Sequence, residues 1–291
     1  MRLCLTCRNA FAGPAWHCPQ CGWTPSCRGG VIHLTPDVPD AEESYDPRWY
    51  AELHRLEEAN FWFKARNQLI KWLAARYVPA EAVFLELGCG TGYVLRMLRH
   101  AFPSWHITAS EVHSEGLAFA AAASAGQNVS FQQMDARALP YRDEFDAVGA
   151  FDVIEHIRED VDVLNQIRIA LKPGGVLLAS VPQHMFLWSK FDEIGKHFRR
   201  YSANEVREKL ARSGLELIAT TSFNSLLLPA MWISRMSRKI GEDVDILDEL
   251  RVSPRLNGVL AAVLRFEVTL VRMGIRWPVG GSRVFVARKP L

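Results

Sequence analysis

From Val83 onward, short apolar runs alternate with stretches of helical periodicity. VFLEL (83–87) precedes a helix expected from about Thr91 to Ala101, then HITASE, the alanine-rich helix after Glu115, VSFQQMD, FDAVGAFD, a helix around Val161 to Leu171, and GVLLASVP. Strands this apolar, spaced by helices, predict a parallel sheet covered on both faces. Two further strands are predicted late, LELIATTS from Leu215 and SRVFVARK from Ser282. The roughly sixty residues between them exceed an ordinary loop and hold two apolar helical segments. Ahead of the sheet, Asp46 to Tyr77 has helical periodicity in two pieces. Phe61, Trp62 and Phe63 are consecutive there, and a helix turns only about half of such a run inward. One or two of these rings should therefore face a partner, a pocket or a neighbouring element; plain packing on the main domain is the simpler alternative.

Composition narrows the class. The chain has 291 residues, 49% hydrophobic, enough for a full core and an appendage. With 34 basic against 32 acidic side chains, net +2, no bulk charge draws it to nucleic acid. The opening MRLCLTC lacks the apolar stretch of a signal peptide, and no uncharged apolar run reaches the ~20 residues needed to span a bilayer. A cytoplasmic, reducing setting is expected, either soluble or peripheral to a membrane.

In that setting Cys4, Cys7, Cys18 and Cys21, two CxxC pairs ten residues apart, suit tetrahedral thiolate binding of Zn²⁺ better than a disulfide or redox dithiol. A closed four-thiolate site leaves no position for substrate, so its expected role is structural and the chemistry lies elsewhere. The acidic, proline-bearing DVPDAEESYDP reads as a linker. The expected organisation is a zinc module over 1–36, a linker over 37–45 and a main domain over 46–291, with N-terminal helices at 46–78 and a helical insertion at 223–281.

The glycine-rich FLELGCGTGYV (84–94) follows an apolar strand and opens a helix, the context of a cofactor-binding loop. Position 93 is Tyr, so the dinucleotide fingerprint GxGxxG fails; the pattern is an acid, Glu86, then Gly88, Gly90 and Gly92. The next strand ends in Glu111, suited to two ribose hydroxyls, and the third in Asp135, placed for an adenine amino group. These landmarks, with KPGG at 172–175, resemble the Rossmann-like S-adenosylmethionine-dependent methyltransferases from about Val83 to Pro182. The resemblance implies an α/β, doubly wound, mostly parallel seven-stranded sheet with an antiparallel last strand. It implies that Glu86 and the glycines hold the methionine part, Glu111 the ribose, and Asp135 with the Ala136 backbone the adenine. Phe151 and Asp152 would line the pocket floor. The N-terminal segment resembles the small zinc modules ahead of some bacterial methyltransferases, including ribosomal RNA guanine methyltransferases.

Methyl transfer to a hydroxyl asks for alignment and for removal of a proton. DVIEH (152–156) follows the fourth strand, and His156 is a candidate general base that Glu155 can orient; packing of the next helix is the alternative. Asp152, Glu155 and His156 also resemble the cluster by which some metal-dependent O-methyltransferases bind a divalent ion, with His197 from GKHFRRYS as a further ligand or base. His184 is a second candidate for that place. Arg199, Arg200 and Tyr201 are candidate contacts for an anionic acceptor, or else a solvated turn before a helix opened by a Ser202/Glu205 capping box. In the insertion, Arg265, Arg272 and Arg276 fall within about 40° on a helical wheel, opposite Glu267. That rod either packs on the core with its stripe exposed, or meets a membrane or walls an apolar pocket. The expected reaction is S-adenosylmethionine-dependent methylation of a small-molecule or lipidic acceptor at a hydroxyl oxygen. RNA methylation guided by the zinc module is the alternative, and a catalytically silent adaptor a third.

Overall fold

The computed structural model describes residues 1–13, 15–35, 48–124, 129–237 and 252–291. The expected linker over 37–45 lies outside the described residues, as does the domain boundary at 36. In chain order the elements are β1 (Arg2–Leu3), β2 (Ala10–Phe11), β3 (Ser26–Arg28), β4 (Val31–His33), α1 (Arg48–Glu57), α2 (Phe61–Tyr77), β5 (Val83–Leu87), α3 (Tyr93–Ala101), β6 (His106–Glu111) and α4 (Ser114–Ala123). There follow β7 (Val129–Gln133), β8 (Phe145–Phe151), α5 (Asp160–Ala170), β9 (Leu171–Pro182), α6 (Lys190–Ile194), α7 (Ala203–Arg212), β10 (Glu216–Phe223), α8 (Leu228–Ser237), α9 (Pro254–Arg272) and β11 (Ser282–Arg288).

The main sheet runs β10-β11-β9-β8-β5-β6-β7-β4-β3. Strands β5 to β9 are mutually parallel, and β11 runs antiparallel between β9 and β10. The seven expected strands are all present, and the sheet is larger than expected, with nine. The two extra strands come from the cysteine-bearing segment: β4 lies parallel to β7, pairing Ile32 with Gln132, and β3 folds back antiparallel on β4. Short apolar β-branched runs satisfy their backbone groups by joining an available sheet edge, which closes that edge to other chains.

Consecutive strand residues point to opposite faces, and both faces are apolar. Leu85, Val148 and Leu177 meet α5 and α7 through Ile167 and Leu210, and on this face the core also takes in Phe11, Trp16 and Leu34. Phe84, Val284 and Val286 share the other core with Leu69 of α2, Leu95 of α3, Leu117 of α4 and Val268 of α9. The N-terminal module is tied to the main sheet by more than β4. Trp16 packs edge-on against Tyr141 at 5.6 Å between ring centroids, with the Arg2 guanidinium 4.8 Å from the Trp16 ring, and the Leu3 N–H donates to the Pro140 carbonyl at 2.9 Å.

Helix α2 starts where the Asn60 side chain accepts from the Trp62 N–H at 2.8 Å, and Ser202 and Glu205 form the expected capping box on α7. Chain order reverses at β5, which has β6 on one side and β8 on the other. The crevice at the carboxyl ends of these strands is where such sheets bind ligands. Among the described residues no helix is long and apolar enough to cross a membrane.

Candidate active site

A cavity of about 1090 Å³ opens at that crevice. Glu86, Gly88, Gly90, Glu111, Asp135, Ala136, Phe151, Asp152, His156 and His197 all line it, while Gly92 caps the start of α3 just behind. Gly88 has φ +65°, and a Cβ there would lie 2.5 Å from a Val153 methyl, so the turn needs glycine twice over.

Glu86 is 2% exposed, and one of its oxygens has no partner. Burial pushes its carboxyl up to about 8, against the pull of Arg66 and with a push from Glu111. Glu111 is held as an acceptor by three backbone N–H groups, Val112 at 2.8 Å, His113 at 3.3 Å and Gly90 at 3.2 Å; burial still raises its pKa. Asp135 faces the cavity but is forked onto Arg137, with the closest contact 2.7 Å. Asp152, in a left-handed conformation at φ +58°, is ion-paired with Arg66.

Arg66 carries no motif and was invisible in the sequence. It reaches from the buried face of α2 across the cavity wall, with Trp62 4.7 Å and Phe63 5.5 Å from its guanidinium carbon. Phe61, Trp62 and Phe63 all line the cavity, so the aromatic run serves the pocket. Two residues of α1 were equally silent. Tyr50 is buried over the glycine turn, and Glu57 accepts a 2.5 Å hydrogen bond from the Thr91 hydroxyl.

Beyond Asp152 lies a second group. Glu155, His156 and His197 place candidate ligand atoms within 4.8 Å of one another; Asp152 is engaged by Arg66 and stands apart from this group. Glu155 is 1% exposed and neither of its oxygens has a partner; burial, then the nearby Asp152, hold its carboxyl well above the usual range. Burial and the facing His197, whose ring centroid is 4.5 Å away, push His156 down to about 3. His197 Nδ1 lies 2.8 Å from an oxygen of Asp192, a residue absent from the sequence reading. Burial opposes the Asp192 charge, but the His197 hydrogen bond and Arg200, 2.8 Å away, outweigh it and bring the carboxyl down to about 2. Arg200 lines the cavity, whereas Arg199 and the Tyr201 hydroxyl are turned onto Asp160. His184 is not among the cavity's lining residues and stacks on Phe186 at 5.0 Å.

The four N-terminal cysteines converge, with Cys4 and Cys21 sulfurs 3.5 Å apart and Cys7 and Cys18 sulfurs 3.6 Å apart. Their sulfurs lie within 4.8 Å of one another and are not joined as disulfides, an arrangement capable of holding zinc. Burial opposes the Cys4 thiolate, but the Cys7 and Thr6 N–H groups outweigh it and lower that thiol to about 6.

Residues 84–175 match the family model described as a methyltransferase domain. Malonyl-[acyl-carrier protein] O-methyltransferase of Bacillus cereus is 31% identical over 143 residues, which cover 49% of this chain and 52% of that protein. Ubiquinone biosynthesis O-methyltransferase of Paraburkholderia phytofirmans is 26% identical over 156 residues, 51% of this chain and 61% of that protein. The chain thus spans about half the length of the first curated relative. Among solved structures, a chain from the complex between the Haloferax volcanii Trm112 methyltransferase activator and a methyltransferase aligns over 87% of this chain and 100% of its own. Its TM-score is 0.59 at 20% identity. The [4+2]-cyclase SpnF aligns over 79% of this chain and 83% of its own, with a TM-score of 0.54 at 24% identity; both likenesses show the fold alone. Residues 84–175 thus match a methyltransferase domain, and the fold around them is shared with solved structures of the Rossmann-like methyltransferase fold.

Proposed function

We propose that this chain transfers a methyl group from S-adenosylmethionine to an oxygen of a small-molecule or lipid-linked acceptor, a hydroxyl being the first choice. The carrying observation is the continuity of the cavity, from the glycine turn past His156 and His197 to the apolar side chains Trp62, Leu227, Met231 and Leu260. Its volume of about 1090 Å³ exceeds what one small ligand fills. Fit to the cofactor is supported by the orphaned Glu86 oxygen, which suits the ammonium of the methionine part, and by the bare backbone at Gly88. When bound, the cofactor supplies a methyl group already activated on its sulfonium. Glu111 would accept from the ribose, and Asp135 with Ala136 would border the adenine.

The acceptor is positioned between His197 and the cofactor end. Asp192 fixes the His197 tautomer by accepting from Nδ1–H, which leaves Nε2 as the acceptor for a hydroxyl proton. His156, held neutral by burial, is the weaker base and serves to orient. The unpaired Glu155 oxygens favour a second reading of the same group, in which Glu155, His156 and His197 hold a divalent ion that lowers the acceptor's pKa. At the N-terminus the four thiolates would hold a structural Zn²⁺, whose charge lets sulfurs this close ionise together.

The test is transfer of label from methyl-labelled S-adenosylmethionine into fractionated cell extract, with and without added Mg²⁺ or chelator. Label in an apolar or small-molecule fraction is expected, base-labile if the acceptor is a carboxyl group. Label confined to RNA would overturn the reading, and loss of transfer in chelator without loss of cofactor binding would select the metal form.

A further inference from the structure

Helices α8 and α9 both wall the cavity, and each also turns a face with large apolar side chains into solvent. Ile233 is 63% exposed, Val259 61%, Phe266 58% and Met273 77%, with Trp232 and Leu256 also about half exposed. Met185 and Phe186, both exposed, precede Leu187, whose carbonyl accepts from Arg235 of α8. The exposed charges that α2, α8 and α9 carry have one sign. Helices α2, α8 and α9 contain a single acid, Glu267, and it is buried, accepting from the Ser225 and Leu226 N–H groups at 2.9 Å. Exposed on the same helices are Lys64 and Lys71, a turn to either side of Gln68, whose carbonyl receives Arg272, together with Arg255 and Arg265. The segment between α8 and α9, 238–251, includes five acids in sequence and lies outside the described residues.

We infer that this face docks on the surface of an anionic lipid bilayer, apolar side chains inserted among the headgroups and the flanking cations on the lipid phosphates. Exposed apolar side chains on helices whose described exposed charges are all Lys or Arg suit that surface, since each cation near it gains attraction while the inserted side chains leave water. A protein partner or a second copy would have to answer several cations and the apolar stripe at once. The geometry also links docking to the cavity: Leu256 is exposed and lines the cavity, as does Ala230 of α8. An acceptor with a long apolar chain passes from the bilayer into the site without crossing water. This last point rests on the proposed lipid-linked acceptor; the docking itself does not.

The full chain, loaded with zinc, is sedimented with vesicles of phosphatidylcholine alone or with about a third phosphatidylglycerol, at two salt concentrations. Binding is expected to the anionic vesicles and to weaken with salt. The double variant Ile233→Ser with Phe266→Ser should lose roughly tenfold or more on those vesicles. Arg265→Glu with Arg272→Glu should lose a similar factor there and little on neutral vesicles. Neither pair lines the cavity, so calorimetric cofactor binding serves as the check that both variants fold. Absence of binding by the parent chain at low salt overturns the inference. So does a concentration-dependent dimer, seen by sedimentation velocity, that the first variant abolishes while vesicle binding stays unchanged. Turnover of a soluble acceptor by a chain that ignores vesicles would sink the docking surface and leave the proposed reaction standing.

Discussion

At the end proposed for the cofactor the cavity is made of strand ends: Glu86 and Glu111 lie within the last two residues of their strands, Asp135 and Asp152 just beyond theirs, and backbone N–H groups hold Glu111 in place. At the end proposed for the acceptor the wall comes from α2, α8 and α9; α2 stands well over a hundred residues ahead of the other two and meets α9 through packing and hydrogen bonds. Asn257 of α9 shows how: it accepts from the Phe61 N–H at 2.9 Å and donates to the Ala59 carbonyl at 3.0 Å, so the insertion caps the start of α2. Strand ends are fixed to their neighbours by ladder hydrogen bonds on both sides, so a residue's place on the strand sets its place in the site. Helices packed through apolar faces have no such register. The first end can therefore be specified by a short motif, while the second takes its shape from contacts between distant segments and is free to vary with the acceptor.

Arg66 bridges the two ends, and its loss should have the largest effect. Arg66→Ala leaves the Asp152 carboxylate without its cation beside a buried Glu155, and the pair is mostly shielded from water. A stability loss of about 3 kcal/mol is expected in urea unfolding, with part restored by adding Asp152→Asn. An unchanged unfolding midpoint would mean that the two ends are not coupled there.

Gly88→Ala should strike the cofactor end alone. The new methyl would overlap Val153, and the backbone conformation disfavours it, so cofactor affinity should drop by roughly a hundredfold in calorimetry. Near-normal binding would show that the turn yields more than a strand-end site should.

Glu86 gives the cofactor end a pH dependence. In the unliganded chain its carboxyl sits near 8, so below that pH it must lose a proton to receive a cationic ligand. Affinity should rise by up to about tenfold per unit as pH climbs towards 8 and then level, and Glu86→Gln should flatten the profile. The sign for folding is opposite. A carboxyl raised from 4.5 favours the fold when neutral, so its contribution is complete below about 4.5 and is lost as pH passes 8. A wild-type affinity flat from pH 6 to 8 would contradict the assigned role.

At the acceptor end Asp192→Asn should lower kcat by about tenfold while cofactor affinity stays constant, because the amide still fills the space but no longer stabilises a His197 cation. A fall in affinity instead of kcat would make Asp192 a purely structural anchor. His197→Gln, read the same way, should exceed it.

The likeness to the methyltransferase class rested on residues near one another along the chain. The glycine turn, Glu111 and Asp135 were legible because a parallel sheet brings strand ends together whenever the strands form, and apolar runs announced the strands. The four cysteines were legible for a similar reason, since CxxC spacing brings two sulfurs to one turn. Arg66, Tyr50 and Asp192 were not, because nothing in a helical or loop sequence says which cavity a side chain will meet.

Two decisions belonged to the tertiary structure alone. The cysteine-bearing segment read as an appendage, yet β4 lies on β7 and its apolar side chains share a core with β5 and β8. A short β-branched run looks the same whether it pairs within its own module or along a foreign edge, and only the free edge of β7 makes the difference. Likewise the sequence marked a basic stripe, of which Arg265 and Arg272 lie on α9 and Arg276 past its end, and set Glu267 opposite it, but which side met solvent depended on α2 and on the N–H groups before α8 that Glu267 satisfies. Periodicity fixes which side chains share a face; burial of that face is decided by the partner that reaches it first and leaves the fewest polar groups unpaired.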